Sequence, residues 1–333
     1  MELETGKKLR TGAVIVAAGH KSKNSVFKPL LPVGDSTAIR RIIITLKRAG
    51  VSPIVVVTGD KADELEKHIS NLQVICLRNE QYAVTQMFSS ICMGLNYIED
   101  LCDRVFVLPA KFPVFLRETV QRLMQSDADV VRPMFDGHRG HPVLISSSVL
   151  PSIVSYQGSD GLRGALRQAA ETFQEENIPV EDKGIIQAIE TEGDSSVDFI
   201  RKQQIQVHPR IQLGLERDDI FFNAQTAHFL QLTSHTGSMQ TACKQMHMSY
   251  TKGWKILREA EKQLGFPLLF SRSGGSDGGS SKLTPKGEEF LKRYVKMEED
   301  LKKEGERLFT SSSRAGLNST SSSFPEISWE ISF

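Results

Sequence analysis

The chain has 333 residues, 41 Lys and Arg against 40 Asp and Glu, and 39% hydrophobic residues. That length predicts two domains with ordinary apolar cores, and the even charge balance excludes a general polyanion binder. No run of about 18 apolar residues occurs, which excludes a membrane span, and residues 1–8 lack the apolar core of a signal peptide.

In chain order, the region from Gly12 to about Lys202 alternates short apolar strands with helices. Strands are expected at 13–18, 54–58, 74–77, 104–109 and 128–131, with helices at 37–49 and 62–69. Such strands show no polar alternation and are separated by helices. They predict an α/β fold of Rossmann-like type, with a mostly parallel sheet covered on both faces. Sheets of this kind bind ligands at the carboxyl ends of their strands, beginning with the loop after the first strand. That loop follows Ala18. Gly19 lets backbone approach a ligand, and Lys21, Lys23 and Lys28 bring positive charge suited to phosphate. Taken alone, a basic loop also reads as a solvated one. Cys76, Cys92, Cys102 and Cys243 have no paired spacing and sit in apolar surroundings, so buried free thiols and a cytoplasmic location are expected.

Further along, a helix is predicted over 223–234, then one starting at Ser238 as N-cap, a turn at 246–249, and a helix over 250–264. In that last helix Trp254, Leu257 and Leu264 share one face. A strand at 266–272, a Gly/Ser loop and a returning strand at 282–283 follow. Between Ser238 and Lys296 basic residues outnumber acidic ones by about two to one. This order reads as a winged helix-turn-helix domain with double-stranded DNA as its partner. Ser249, Tyr250, Thr251, Lys252 and Lys255 would face the major groove, with Arg272 and Lys282 flanking the wing. The alternative is an amphipathic hairpin whose lysines are merely solvated. A long helix over 285–308 starts at Thr284 and Pro285. It carries Phe290, Leu291, Tyr294, Met297 and Leu301 on one stripe. That stripe predicts a homodimer in which it packs on the 223–234 helix of a second chain. Residues 310–333, rich in Ser, read as a disordered tail.

The second region resembles the DNA-binding domain of molybdate-responsive ModE-type regulators, related to the LysR-type winged helix. Ser249, Tyr250 and Trp254 open the recognition helix; Gly274, Gly275, Gly278 and Gly279 form the wing; Leu283, Thr284 and Gly287 open the closing helix. The ligand-binding domains that usually accompany such modules are not seen after it, which points ligand sensing upstream.

The first region resembles the MobA-like nucleotidyltransferases, in the branch of the molybdenum-cofactor cytidylyltransferases. Ala-Ala-Gly ends at Gly19, Lys23 stands at the usual Arg, Ser25 at a usual Gly, and Lys28 at the usual Lys. The resemblance implies that Ala18, Gly19, Lys23 and Lys28 hold the triphosphate and that the segment 79–95, with Ser89 and Ser90, holds base and ribose. Arg139, Gly140, His141 and Pro142 then line the acceptor pocket, and residues 161–164 form a further loop of it. His141 also reads as a histidine packing a turn. The domains expected are 1–205, transferase-like; 206–309, winged helix; and 310–333, tail.

One position departs from the family. The implied reaction is attack of a phosphate on the α-phosphorus of a nucleoside triphosphate, with a divalent cation held by carboxylates. Lys111 occupies the place of the family's Asp, and Glu190 that of its second carboxylate. An ammonium in place of a metal-bound carboxylate changes the local charge by two units and repels Mg2+. Two readings follow. In the first, a DNA-binding regulator senses a nucleotide or pterin phosphate, gripped by Lys28 and Lys111 without a metal. In the second, a working CTP or GTP transferase, needing Mg2+ at Glu190, carries an attached DNA-binding domain.

Overall fold

A computed structural model describes residues 9–19, 26–191, 209–272 and 280–316. Contacts divide the chain into two units, Met1–Gln204 with Gln240–Tyr250, and Ile205–Met239 with Thr251–Phe333. No helix among the described residues is long and apolar enough to cross a membrane.

The first unit is built on one sheet. Its elements are β1 (Thr11–Ala17), a small hairpin of β2 (Pro32–Val33) and β3 (Ser36–Thr37), α1 (Ala38–Arg48), β4 (Ile54–Thr58), α2 (Ala62–Ile69), β5 (Ile75–Arg78), α3 (Met87–Ile98) and β6 (Arg104–Pro109). They continue with α4 (Arg117–Leu123), β7 (Val130–Phe135), β8 (His138–Arg139), β9 (Val143–Ser146), α5 (Leu150–Val154), α6 (Gly161–Ala169) and β10 (Glu175–Pro179). The strand order is β10-β7-β9-β6-β1-β4-β5, with β8 paired to β7. Every residue of β1 and β4 is buried, which explains their unbroken apolar runs. On one face Ala13 and Ile15 join Ile39, Ile42, Ile43 and Leu46 of α1 in the main core, and α3 packs against β1 with Ile91, Leu95 and Ile98 buried.

The sheet is mixed, with four parallel strand pairs against three antiparallel ones. β1 pairs in parallel with β4 and β6, but β9 lies antiparallel between β6 and β7. The run 143–146 escapes a sequence reading because it is short and reaches the sheet through a hairpin, not a helical crossover. That hairpin joins β7 to β8 through Asp136 and Gly137, both at positive φ, the conformation of a two-residue turn that matches strand twist. The strand expected at 128–131 accordingly runs later, over 130–135. All four cysteines are free, Cys92 half-buried and the others buried.

In the second unit β11 (Gly214–Glu216) and β12 (Ile220–Asn223) form a hairpin and lead into α7 (Ala224–Thr236). The Asn223 side chain caps α7 by accepting from Gln225 N and Thr226 N. From Gln240 on, α8 (Met239–Gln245) is grouped with the first unit; α9 (Tyr250–Leu264), from Thr251, the hairpin of β13 (Leu269–Arg272) and β14 (Ser280–Leu283), and α10 (Pro285–Gly316) belong to the second. Thr284 caps α10 through Gly287 N at 2.9 Å. The helix runs to Gly316, so the segment 310–316 expected as tail is helical; residues 317–333 lie outside the described residues.

The packed face of α9 differs from the expected one. Trp254 does not face inward: it is 46% exposed, with the Arg258 guanidinium 5.0 Å from its ring centroid. The buried stripe of α9 is Gly253, Leu257 and Ala260, one position round the helix, and Leu264 is half-buried. The α10 stripe is partly covered by its own unit: Phe222 packs edge-on against Phe290 and Tyr294, and the Tyr294 hydroxyl donates to Leu213 O. Met297 and Leu301 remain 41% exposed, and α7, expected to receive the stripe of a second chain, buries six of its 13 residues.

Candidate functional site

The site forms where β1 and β6 end side by side. Ala110 N donates to Val16 O, setting the loop after β6 beside the loop after β1. Ile189 N donates to Lys111 O at 2.8 Å, which brings Glu190 alongside Lys111. Lys28 enters from a 3-10 turn, Lys28–Leu30, anchored by buried Pro29. The three side chains meet: Lys28 Nζ donates to Glu190 Oε2, and Lys111 Nζ stands 3.4 Å from Glu190 Oε1. Hydrogen bonding from Lys28, reinforced by the nearby charges of Lys28 and Lys111, holds the Glu190 carboxyl below its usual range.

Behind Lys111 the site is aromatic. Lys111 Nζ lies 5.3 Å from the Phe112 ring centroid, and Phe112 is 4.5 Å from the His141 ring. His141 N donates to Ile185 O, and its ring Nδ1 is shut from solvent without a partner among the described residues. Burial first, then the charge of Lys111, pushes the imidazole down to about 4, so it is neutral at physiological pH. Gly140 and buried Pro142 flank it, and Arg139 points to the opposite side, 3.1 Å from Glu175.

Ala18 accepts from Asp60 N at 2.8 Å, and Gly19, at φ +117, lies so near Asp60 that a Cβ would come within 2.6 Å of it. Only glycine fits that close approach comfortably. Lys21 and Lys23 lie outside the described residues. Ser89 is exposed on the first turn of α3. Ser90 is not displayed to a ligand: it is buried and accepts from Asn79 Nδ2 at 3.0 Å, so its hydroxyl serves to hold the 79–85 loop.

Residues 13–173 match the family described as MobA-like NTP transferase domain. Among relatives, the molybdenum cofactor cytidylyltransferase of Escherichia coli is 23% identical over 183 residues, 54% of this chain and 91% of that protein. The molybdenum-pterin-binding protein MopB of Rhodobacter capsulatus is 30% identical over 84 residues, 25% of this chain and 31% of that protein. The chain thus spans about a third or less of the first curated relatives it matches. A solved nucleotidyl transferase from Methanothermobacter thermautotroptrophicus has the same fold, with TM-score 0.50, 20% identity and coverage of 59% of this chain and 97% of that one.

The transferase-like domain has a donor set that does not suit a hard divalent cation. Oxygen donors of negative charge are needed, and here one carboxylate faces two ammonium groups. Among the described residues no three His, Cys, Asp or Glu side chains are grouped to hold a metal ion.

Sequence reading missed Arg132 and Arg167, which join Arg139 and Arg163, from the two segments expected to line the acceptor pocket, around one cavity. They come from β7 and α6, with no local spacing to announce them. The Asp136–Gly137 turn pair was the one available signal for the hairpin that delivers Arg139.

The residues expected at DNA lie in the second region of the chain. Ser249, Tyr250, Thr251, Lys252 and Lys255 are exposed at and along the start of α9, and Lys282 is exposed on β14. Arg272 ends β13; its side chain lies outside the described residues.

Proposed function

We propose that the chain is a DNA-binding transcriptional regulator whose transferase-like domain binds a nucleotide or a molybdenum-cofactor-related phosphate with little or no turnover. One observation carries this reading: Lys111 sits against Glu190, where the family resemblance expects a metal carboxylate. The two ammonium groups of Lys28 and Lys111 can neutralise phosphate oxygens as a cation would, but they cannot accept the ligand field of one. Neutral His141 and the Phe112 ring give this cationic pair an apolar wall, which strengthens its hold on an anion by excluding water. The relatives' names, a cytidylyltransferase of the molybdenum cofactor and a molybdenum-pterin-binding protein, support CTP, GTP or a pterin phosphate as the ligand class.

The output is assigned to α8, α9 and the β13–β14 hairpin as a winged helix-turn-helix, with α9 as reading helix. The exposed row Tyr250, Thr251, Lys252 and Lys255 supports it: a hydroxyl-bearing and basic helix start is what major-groove and phosphate contact requires. The exposed Met297 and Leu301 of α10, flanked by Arg293, Lys296, Asp300 and Glu304, support pairing of two chains. The same stripe of a second copy offers a partner surface beside α7: Arg293 and Lys296 precede Asp300 and Glu304 along α10, an order that an antiparallel match pairs.

The retained Lys28 and Glu190 favour the second reading, an active transferase with an attached DNA-binding domain. Calorimetric titration of the full chain with CTP, GTP and molybdopterin, with Mg2+ or EDTA, separates the two. Binding that persists in EDTA, with no pyrophosphate released, is expected. Strict Mg2+ dependence with steady pyrophosphate release from wild-type protein would favour the enzyme.

A further inference from the structure

Asp182 takes part in none of the contacts described above, yet two segments of the site hang on its carboxylate. The residue is 1% exposed, and no cation is paired with it among the described residues. A carboxylate taken out of water is costly unless donors satisfy its oxygens. Leu116 N donates to Oδ2 at 2.7 Å, the Thr119 hydroxyl to the same oxygen at 2.6 Å, and Gly184 N to Oδ1 at 3.0 Å. Burial still pushes the carboxyl above its usual range, and these donors oppose it.

The donors come from two different stretches of chain. Leu116 and Thr119 stand at the start of α4, at the far end of the loop that carries Lys111 and Phe112. Gly184 lies in the 3-10 turn Lys183–Ile185, which leads on to Glu190. The stretches run side by side in antiparallel order. Asp182 meets Leu116 and Thr119, and Ile189 N donates to Lys111 O at 2.8 Å. Between them Gly184 presses on Val114, whose carbonyl oxygen would lie 2.2 Å from a Cβ there. Ile185 O, in the same stretch, accepts from His141 N. Irregular stretches lack the continuous ladder that fixes register between strands, so a clamp at one end decides where the other end lies. We infer that Asp182 is a positioning residue, which sets the register of 182–190 against 111–119 and thereby the places of Lys111, Glu190 and His141. A carboxylate suits this task better than an amide, because Asn would offer one oxygen and turn its NH2 group toward a donor. Its value to binding rests on the phosphate-gripping reading of Lys28 and Lys111; the clamp itself does not.

The test is a double-mutant cycle of Asp182→Asn with Lys111→Ala in the full chain, read in two ways. Calorimetric titration with CTP and GTP in EDTA should show Asp182→Asn weakening binding by roughly threefold or more while Lys111 is present. In the Lys111→Ala background the same change should cost little, because no ammonium is left to place. NMR titration of His141 needs no ligand. Asp182→Asn should raise the imidazole pKa while Lys111 is present, as the repelling ammonium leaves its place, and leave it unchanged after Lys111→Ala. Thr119→Val removes one donor and keeps the shape; it should move both readouts the same way by less, and it decides the matter if Asp182→Asn does not fold. A merely structural clamp would lower the thermal unfolding temperature and act alike in both backgrounds, and that result overturns the inference. A His141 titration that neither variant moves overturns it as well. If wild-type protein binds neither nucleotide, the ligand reading fails by itself, and the His141 cycle alone decides the positioning role.

Discussion

His141 offers a sharp test because its chemistry follows from where it is packed. Its ring lies against Phe112, with Nδ1 closed to solvent and Lys111 beyond the Phe112 ring. Desolvation and that ammonium together lower the imidazole from 6.5 to about 4. Between those values the unfolded chain takes up a proton that the folded chain refuses, so stability falls as pH falls from 6.5 toward 4. The full loss is the shift multiplied by 1.36 kcal/mol per unit, about 3 kcal/mol. Above pH 6.5 both states are neutral at this position and the contribution is constant. Hydrogen-exchange protection of the β1 and β6 amides, followed from pH 7 to pH 4.5, reads the stability of the surrounding structure. Wild-type protection should fall more steeply than that of His141→Gln, which cannot take the proton. Titration of the imidazole by NMR supplies the second arm. Lys111→Ala should raise the His141 pKa while leaving it below 6.5, because burial, the larger cause, remains. An imidazole titrating near 6.5 in the wild-type protein, or identical pH dependence of protection with and without His141, would refute the assignment of its environment.

Three other outcomes are expected. Lys111→Ala should weaken EDTA-insensitive nucleotide or pterin-phosphate binding by roughly tenfold or more, from loss of one charge-assisted contact, as measured by calorimetry; an unchanged Kd would remove Lys111 from the site. Lys252→Ala should weaken duplex DNA binding at every sequence and lower the slope of log K against log salt by about one unit; wild-type protein that ignores DNA at low salt would end the regulator reading. Replacing Met297 and Leu301 with Ser should convert a dimer to a monomer in light scattering while thermal unfolding changes little, since both side chains are exposed; a wild-type monomer at micromolar concentration, with and without DNA, would exclude the pairing.

What the sequence by itself determined was local. The apolar runs of β1, β4 and β6 could only be buried strands, and the Thr284–Pro285 start of α10 and the Asn223 start of α7 are signals written within a few residues. The unexpected Lys111 was legible for the same reason, since it stands inside a short motif. Only the tertiary structure decided the rest. The antiparallel β9 depends on which strand accepts its hydrogen bonds, and a four-residue apolar run does not carry that information. The inward face of α9 turned by one residue, because Gly253 and Ala260 allow the close approach that Trp254 would obstruct. Ser90 was withdrawn from the site by Asn79, an interaction between a loop and a helix. The pairing of Lys28, Lys111 and Glu190, and the convergence of Arg132, Arg139, Arg163 and Arg167, join residues from separate elements. Charge has no periodicity across such distances in the chain; it becomes a site only when the sheet and its helices place the groups together.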